Sequence, residues 1–185
     1  MDIGGKPAIA FYNLTDDGLR YAWLSNSDPA TPGDWTVTDV DALGGKNASL
    51  AVIDGKPAIA HDNGTNVRYV GATDAAGSAW GSAIIVETGV QSPLADIGGL
   101  PMISYQGSGN LKLAISADAA GARWPVGNLV TADGGAVSVG SHSSLAVVAG
   151  LPAIAYYVMR APWTLSLRHC QWRPGAPVLE RRNPS

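Results

Sequence analysis

The sequence predicts an all-β protein, a β-propeller of four four-stranded blades or a fragment of a larger propeller, and three observations predict it. Glycine and proline are abundant, with 23 Gly and 12 Pro in 185 residues and no collagen period, so the chain turns often instead of running in long helices. Short apolar blocks recur along the whole chain. Within several of them apolar and polar residues alternate with the period of two that marks a strand.

The recurrence is the strongest signal. Four segments open alike: GGKPAIAFY from Gly4, DGKPAIAHD from Asp54, GGLPMISYQ from Gly98 and AGLPAIAYY from Ala149. Their prolines, Pro7, Pro57, Pro101 and Pro152, are spaced by 50, 44 and 51 residues. Repetition at such a period marks a repeat architecture. It divides one repeat domain, 1–185, into units of approximately 4–53, 54–97, 98–148 and 149–185.

Each unit reads as four strands. The apolar blocks NASLAVI from Asn47 and SSLAVV from Ser143, with QSPLADI from Gln91 as a degraded copy, have the character of strands buried on both faces. Asp54-Gly55, Gly98-Gly99 and Ala149-Gly150 then signal tight hairpins, because a two-residue turn between twisted strands needs positive φ. The PAIA-type strand follows, with its proline at the start, where a missing N–H is tolerated. The third strand, seen in LRY, VRY, LKL and LSL, places Arg20, Arg68, Lys112 and Ser166 between apolar neighbours and predicts one polar face. A loop and a last strand complete the unit.

A four-stranded sheet with two apolar faces must stack on its neighbours. Radial stacking satisfies that need and shortens the exposed edges. A sandwich or another β-repeat arrangement would explain the strands, but a sandwich gives no reason for the shared period. Fifteen strand candidates follow Pro7, and Met1-Asp2-Ile3 supplies a sixteenth. Sixteen strands make four blades, either closed in one chain or open and completed by self-association.

Charge and cysteine usage exclude several functions. The net charge of −3 gives no electrostatic case for nucleic-acid binding. A single cysteine, Cys170, rules out an internal disulfide, and His61, His142 and His169 lack metal-ligand spacing, so neither metal nor cofactor is expected. No stretch approaches transmembrane length and no signal peptide is visible. The compartment stays open: secreted if Met1 is not the natural start, cytoplasmic otherwise.

The third block carries a family resemblance. Thr73 to Trp80 reads TDAAGSAW, Ser116 to Trp124 reads SADAAGARW, and Ser27 to Trp35 is an expanded form. These segments resemble the Asp-box, or BNR, repeat of sialidase-like β-propellers, with one more residue between Asp and Gly than the family pattern has. The fourth unit departs from it, with Trp172 and Gly175 but no matching Asp. The resemblance implies a structural hairpin on the outer part of the blade. In it Asp74 and Asp118 would accept turn N–H groups, Gly77 and Gly121 would permit the bend, and Trp80 and Trp124 would anchor the loop. Elementary turn chemistry supports the same roles. The family's enzymes hold a substrate carboxylate with an arginine cluster, for which Arg20, Arg68 and Arg168 would be the candidates. Those arginines also read as solvent-facing members of alternating strands.

Acid chemistry finds no footing in this pattern. Glycoside hydrolysis commonly uses two carboxyl groups at a set separation. Glu87 and Glu180 are the only glutamates, and Asp16, Asp17, Asp39 and Asp41 read as solvated turn or strand-end groups. The expectation is therefore a noncatalytic module that recognises a glycan or a protein, without membrane insertion. A sialidase-like glycoside hydrolase and a structural or assembly fragment are the alternatives. Departures from the repeat suggest where a ligand would sit: Arg160 and Trp163 in an irregular loop, and His61, which replaces the aromatic residue found at Phe11, Tyr105 and Tyr156.

Overall fold

The computed structural model describes residues 1–24, 32–135 and 137–158, together with the strand residues 170–171 and 180–181. The first sheet contains β1 (Asp2–Ile3), β2 (Lys6–Asn13), β3 (Gly18–Leu24) and β4 (Trp35–Asp41). The second contains β5 (Lys46–Ile53), β6 (Lys56–Asp62), β7 (Asn66–Gly71) and β8 (Ile84–Thr88). The third contains β9 (Leu94–Ile97), β10 (Leu100–Gly107), β11 (Asn110–Ile115) and β12 (Leu129–Asp133). A further pair, β13 (Val139–Val148) and β14 (Leu151–Val158), follows, and β15 (Cys170–Gln171) pairs with β16 (Glu180–Arg181). Each four-stranded sheet is an antiparallel meander in sequence order, which is the pattern of a propeller blade.

Turn chemistry fixes each sheet's register. Asp54 and Gly55 have φ of 49° and 73°. Two consecutive positive φ values match a two-residue turn to the right-handed twist of its strands. Ile53 therefore pairs with Lys56, and Ala51 with Ala58. The units read from the sequence begin at this hairpin, so β5 and β9 fall in the unit before the rest of their sheets.

The sheets stack face to face, and alternation sends successive side chains to opposite neighbours. From β6, Ile59 joins Ile3, Ala8, Leu19 and Tyr21 of the first sheet, with Val70 from β7. Ala58 and Ala60 instead join Leu94, Ile103 and Tyr105 of the third. A third core gathers Met102, Leu111 and Leu113 with Ile154, Tyr156 and Val158. Each large apolar side chain buried in this way contributes roughly 1.5–3 kcal/mol.

The expected polar face is corrected by this stacking. Arg68 is only 7% exposed, because a neighbouring sheet covers the face that would otherwise meet water. The inner strand β13 departs in the opposite sense, with Val147 and Val148 exposed. No helix among the described residues is long and apolar enough to cross a membrane.

Candidate functional site

Related hexapeptides lie at the starts of β5 and β13 and lead into β9: Gly45-Lys46-Asn47-Ala48-Ser49-Leu50, Gly140-Ser141-His142-Ser143-Ser144-Leu145 and Gly89-Val90-Gln91-Ser92-Pro93-Leu94. The glycines admit a close approach. A Cβ on Gly45 would lie 2.8 Å from Leu19 Cα, and one on Gly140 would lie 2.8 Å from Leu111 Cα. Two residues later the backbone turns left-handed at a residue that is not glycine: Asn47 has φ 52°, Gln91 61° and His142 51°. Such positions cost about 1–2 kcal/mol each. Their recurrence at one place in three sheets is an observed strain of the kind that gathers at binding sites.

Register irregularities accompany the strain. The β5–β6 ladder shifts between Lys46 and Ser49, and the β13–β14 ladder shifts between Ser141 and Ser144. Bulges at these points re-aim the intervening side chains. Asn47, Gln91 and His142 come together with Ser49, Ser143 and Ser144 around a cavity of about 370 Å³. Pro93, Leu94 and Leu145 give it an apolar part. Its volume falls in the range of small-ligand sites.

Hydrogen bonds tie the three blades together at this wall. Asn47 Nδ2 donates to Asp62 Oδ2 at 2.7 Å, and the Gln91 backbone N–H donates to the same oxygen at 2.8 Å. The His142 backbone N–H donates to Gln91 Oε1. Asp62 is 1% exposed, and its Oδ1 accepts the Gly64 N–H at 3.0 Å. Within the wall the Leu94 N–H donates to Ser49 Oγ at 3.0 Å. The His142 imidazole stands edge-on to Tyr157, with ring centroids 6.4 Å apart.

A second polar cluster lies between the first two sheets. Arg68 Nε is 2.7 Å from Asp41 Oδ2, and His61 Nε2 is 3.2 Å from the same oxygen. Burial, and to a lesser degree the Arg68 charge, lower the His61 pKa against the opposing pull of Asp41 and Asp62. Asp41, read from the sequence as solvated, is thus an internal partner. Arg20 instead meets Asp16 and Asp39 at the surface, so the described arginines form no cluster facing a cavity.

Of the ligand-binding candidates, Arg160 and Trp163 lie outside the described residues. His61 is fully buried in the inter-sheet cluster, away from the cavity wall. The aspartate turns occupy the β7–β8 and β11–β12 connections. Asp74 accepts the N–H groups of Ala76, Ser78 and Ala79 at 2.9–3.1 Å and the Ser78 hydroxyl at 2.8 Å. Asp118 accepts the Ala122 N–H at 2.8 Å, and its Oδ2 has no partner among the described residues. Trp80 Nε1 donates to Gly77 O, and Trp124 Nε1 to Gly121 O. Tyr21 OH donates to Ala76 O at 3.2 Å and Tyr69 OH to Ala120 O at 2.9 Å, which docks each turn on the preceding sheet.

The sequence reading missed Asn47 and Gln91. Its available signal was a position that changes polar type between a repeated glycine and a repeated leucine. Among the described residues no group of three or more His, Cys, Asp or Glu side chains is arranged to hold a metal ion.

No protein-family model matches the chain, and no curated protein matches it significantly. Solved structures do share its fold. An α-L-arabinofuranosidase from Lactobacillus brevis superposes with a TM-score of 0.51 at 12% identity, over 84% of this chain and 62% of that one. A thermostable family-43 glycoside hydrolase superposes with a TM-score of 0.51 at 14% identity, over 97% of this chain and 74% of that one. The chain therefore spans less than two thirds of the arabinofuranosidase's length. At these identities the likeness is one of fold.

Two expectations are corrected by that likeness. The fold resembles family-43-type glycosidase propellers rather than the sialidase-like Asp-box proteins. An aspartate accepting turn N–H groups is a local solution open to any hairpin of this shape. The expected noncatalytic module gives way as well. The proteins that share the fold are glycoside hydrolases by name, not noncatalytic binding modules.

Proposed function

We propose that the chain belongs to a glycoside hydrolase whose sugar-binding wall is the cavity where β5, β9 and β13 converge. One observation supports the sugar-binding part of this reading: the cavity wall offers amides, hydroxyls and an imidazole with no Lys, Arg, Asp or Glu among the described residues lining it. Uncharged donors and acceptors beside an apolar strip suit a neutral, hydroxyl-rich ring. Asp62 is the carboxyl group one hydrogen bond behind that wall, where it orients Asn47 and Gln91. The names of the matched structures make neutral furanosides and pyranosides the substrates to try first. In the same reading the four repeats are four blades around this cavity, and the aspartate turns at Asp74 and Asp118 serve the architecture.

The test is release of the chromophore from a panel of neutral aryl arabinofuranosides, xylopyranosides and glucopyranosides. Turnover by the native chain, lost in His142→Ala and Asp62→Asn variants that keep the native thermal transition, supports the reading. Absence of turnover across the panel, or turnover indifferent to both substitutions, overturns it.

A further inference from the structure

A second cavity lies at the opposite ends of the strands, away from the inner-strand wall. Its volume is about 220 Å³, and it opens between the β1–β2 hairpin and the Asp74 turn of the next sheet. Ile3, Gly4 and Lys6 form one side, Ala75 and Ala76 the other, and Tyr21 and Trp23 the floor. Tyr21 covers one face of the Trp23 indole, with centroids 5.7 Å apart and planes inclined by 23°. Trp80 meets the other side of the group edge-on to Tyr21 at 5.1 Å. Tyr21 is itself fully buried with its hydroxyl donating to Ala76 O, so the half-buried Trp23 supplies the open aromatic surface of this lining.

The repeat marks Trp23 as a departure. Trp23 pairs with Ala8 in the first sheet, and the equivalent partner of Ala58 in the second is Gly71. The third sheet places Ile115 opposite Met102 there, so the position varies between sheets, and the half-buried Trp23 both packs against the first core and lines the cavity. The neighbouring architecture is otherwise shared: Tyr69 docks the Asp118 turn as Tyr21 docks the Asp74 turn. Ala75 and Ala76 are exposed at the rim, and a Cβ on Gly4 would meet nothing within 4 Å. The opening is thus unobstructed by either wall.

We infer that this cavity is a glycan-holding site distinct from the inner-strand wall, in which one sugar ring of a polysaccharide stacks on Trp23. An indole offers a rigid, amphipathic platform to the apolar face of a pyranose. Charge selects among occupants. Lys6 is the charged side chain among the described residues lining the cavity, which opposes a cationic ligand and favours a neutral sugar or a uronate. The site would hold a polymer without touching the bond being cleaved, so the inference stands apart from the hydrolase reading.

Affinity electrophoresis of the whole chain through gels containing arabinoxylan or polygalacturonate tests it. Native protein is expected to be retarded in at least one gel. Trp23→Ala and Ala75→Leu should each weaken that retardation at least tenfold while leaving aryl-glycoside turnover unchanged. The rim substitution keeps the test valid if Trp23→Ala fails to fold, because Ala75 is exposed and contributes no core packing. Lys6→Ala should reduce retention in polygalacturonate alone. Unretarded native protein, or folded Ala75→Leu protein retarded as strongly as native, overturns the inference.

Discussion

Asp41 at the end of one sheet lies 2.7 Å from Arg68 of the next, and both side chains are 9% exposed. The pair links two blades through a charge contact inside the stack. Removing one partner of a buried pair strands the other, at a cost of about 3–5 kcal/mol. Arg68→Met is therefore expected to lower the urea midpoint strongly. Arg20, whose pairs with Asp16 and Asp39 are open to water, supplies the contrast. Arg20→Met should cost no more than about 1 kcal/mol, and equal losses in the two variants would contradict the assignment.

His61 gives this interface a pH dependence. Burial lowers its pKa below the ordinary 6.5, so the folded chain refuses a proton that the unfolded chain accepts. Stability is then fully present above the unfolded value, and declines as pH falls from 6.5 toward the lowered folded value. Thermal unfolding between pH 7 and 5 should show this decline. The His61→Phe variant, which restores the aromatic residue of Phe11, should show a shallower one, and parallel curves would exclude His61 as the source.

Gly77 and Gly121 carry a second interface. A Cβ on Gly77 would lie 2.7 Å from Tyr21 Cε1, and one on Gly121 would lie 2.5 Å from Tyr69 Cε1. Gly55 has a similar φ of 73° but open space around it. Alanine at Gly77 or Gly121 should cost about 1–3 kcal/mol in overpacking beyond the backbone strain that Gly55→Ala also bears. The measurement is the difference in melting temperature between these variants.

Asp74 accepts four hydrogen bonds from its own turn, and these bonds hold its carboxyl below the ordinary 3.8. The stabilisation is present above 3.8 and is lost as pH falls through the depressed folded value. Asp74→Ala should reduce the melting temperature at pH 7 and diminish the acid dependence. An unchanged melting temperature would remove the turn from the structural framework.

The left-handed residues separate stability from function. His142→Gly removes an exposed side chain and relieves a strained φ of 51°. It should leave the protein as stable as the native chain or up to about 1 kcal/mol more stable. The same change should abolish turnover of whichever aryl glycoside the native protein cleaves. A large loss of stability would mean that His142 serves the fold.

Much of the architecture was legible because its causes are local. Glycine pairs impose hairpins, proline sits at a strand start, and period-two alternation marks the third strand. The aspartate turns were legible for the same reason, since Asp74, Gly77 and Trp80 act within a few residues of one another. Arg68 and Asp41 were misread because alternation shows which residues share a face and leaves open what covers that face. The candidate site was less visible still. Asn47, Gln91 and His142 lie 44 and 51 residues apart, match no chemical motif, and acquire a common purpose only where three inner strands converge. The sequence alone determined the strands, their turns and their repetition. Tertiary packing decided which polar residues were buried between blades and which were turned, by a left-handed backbone and a bulge, onto one cavity wall, because contacts between sheets depend on stacking that no single repeat contains.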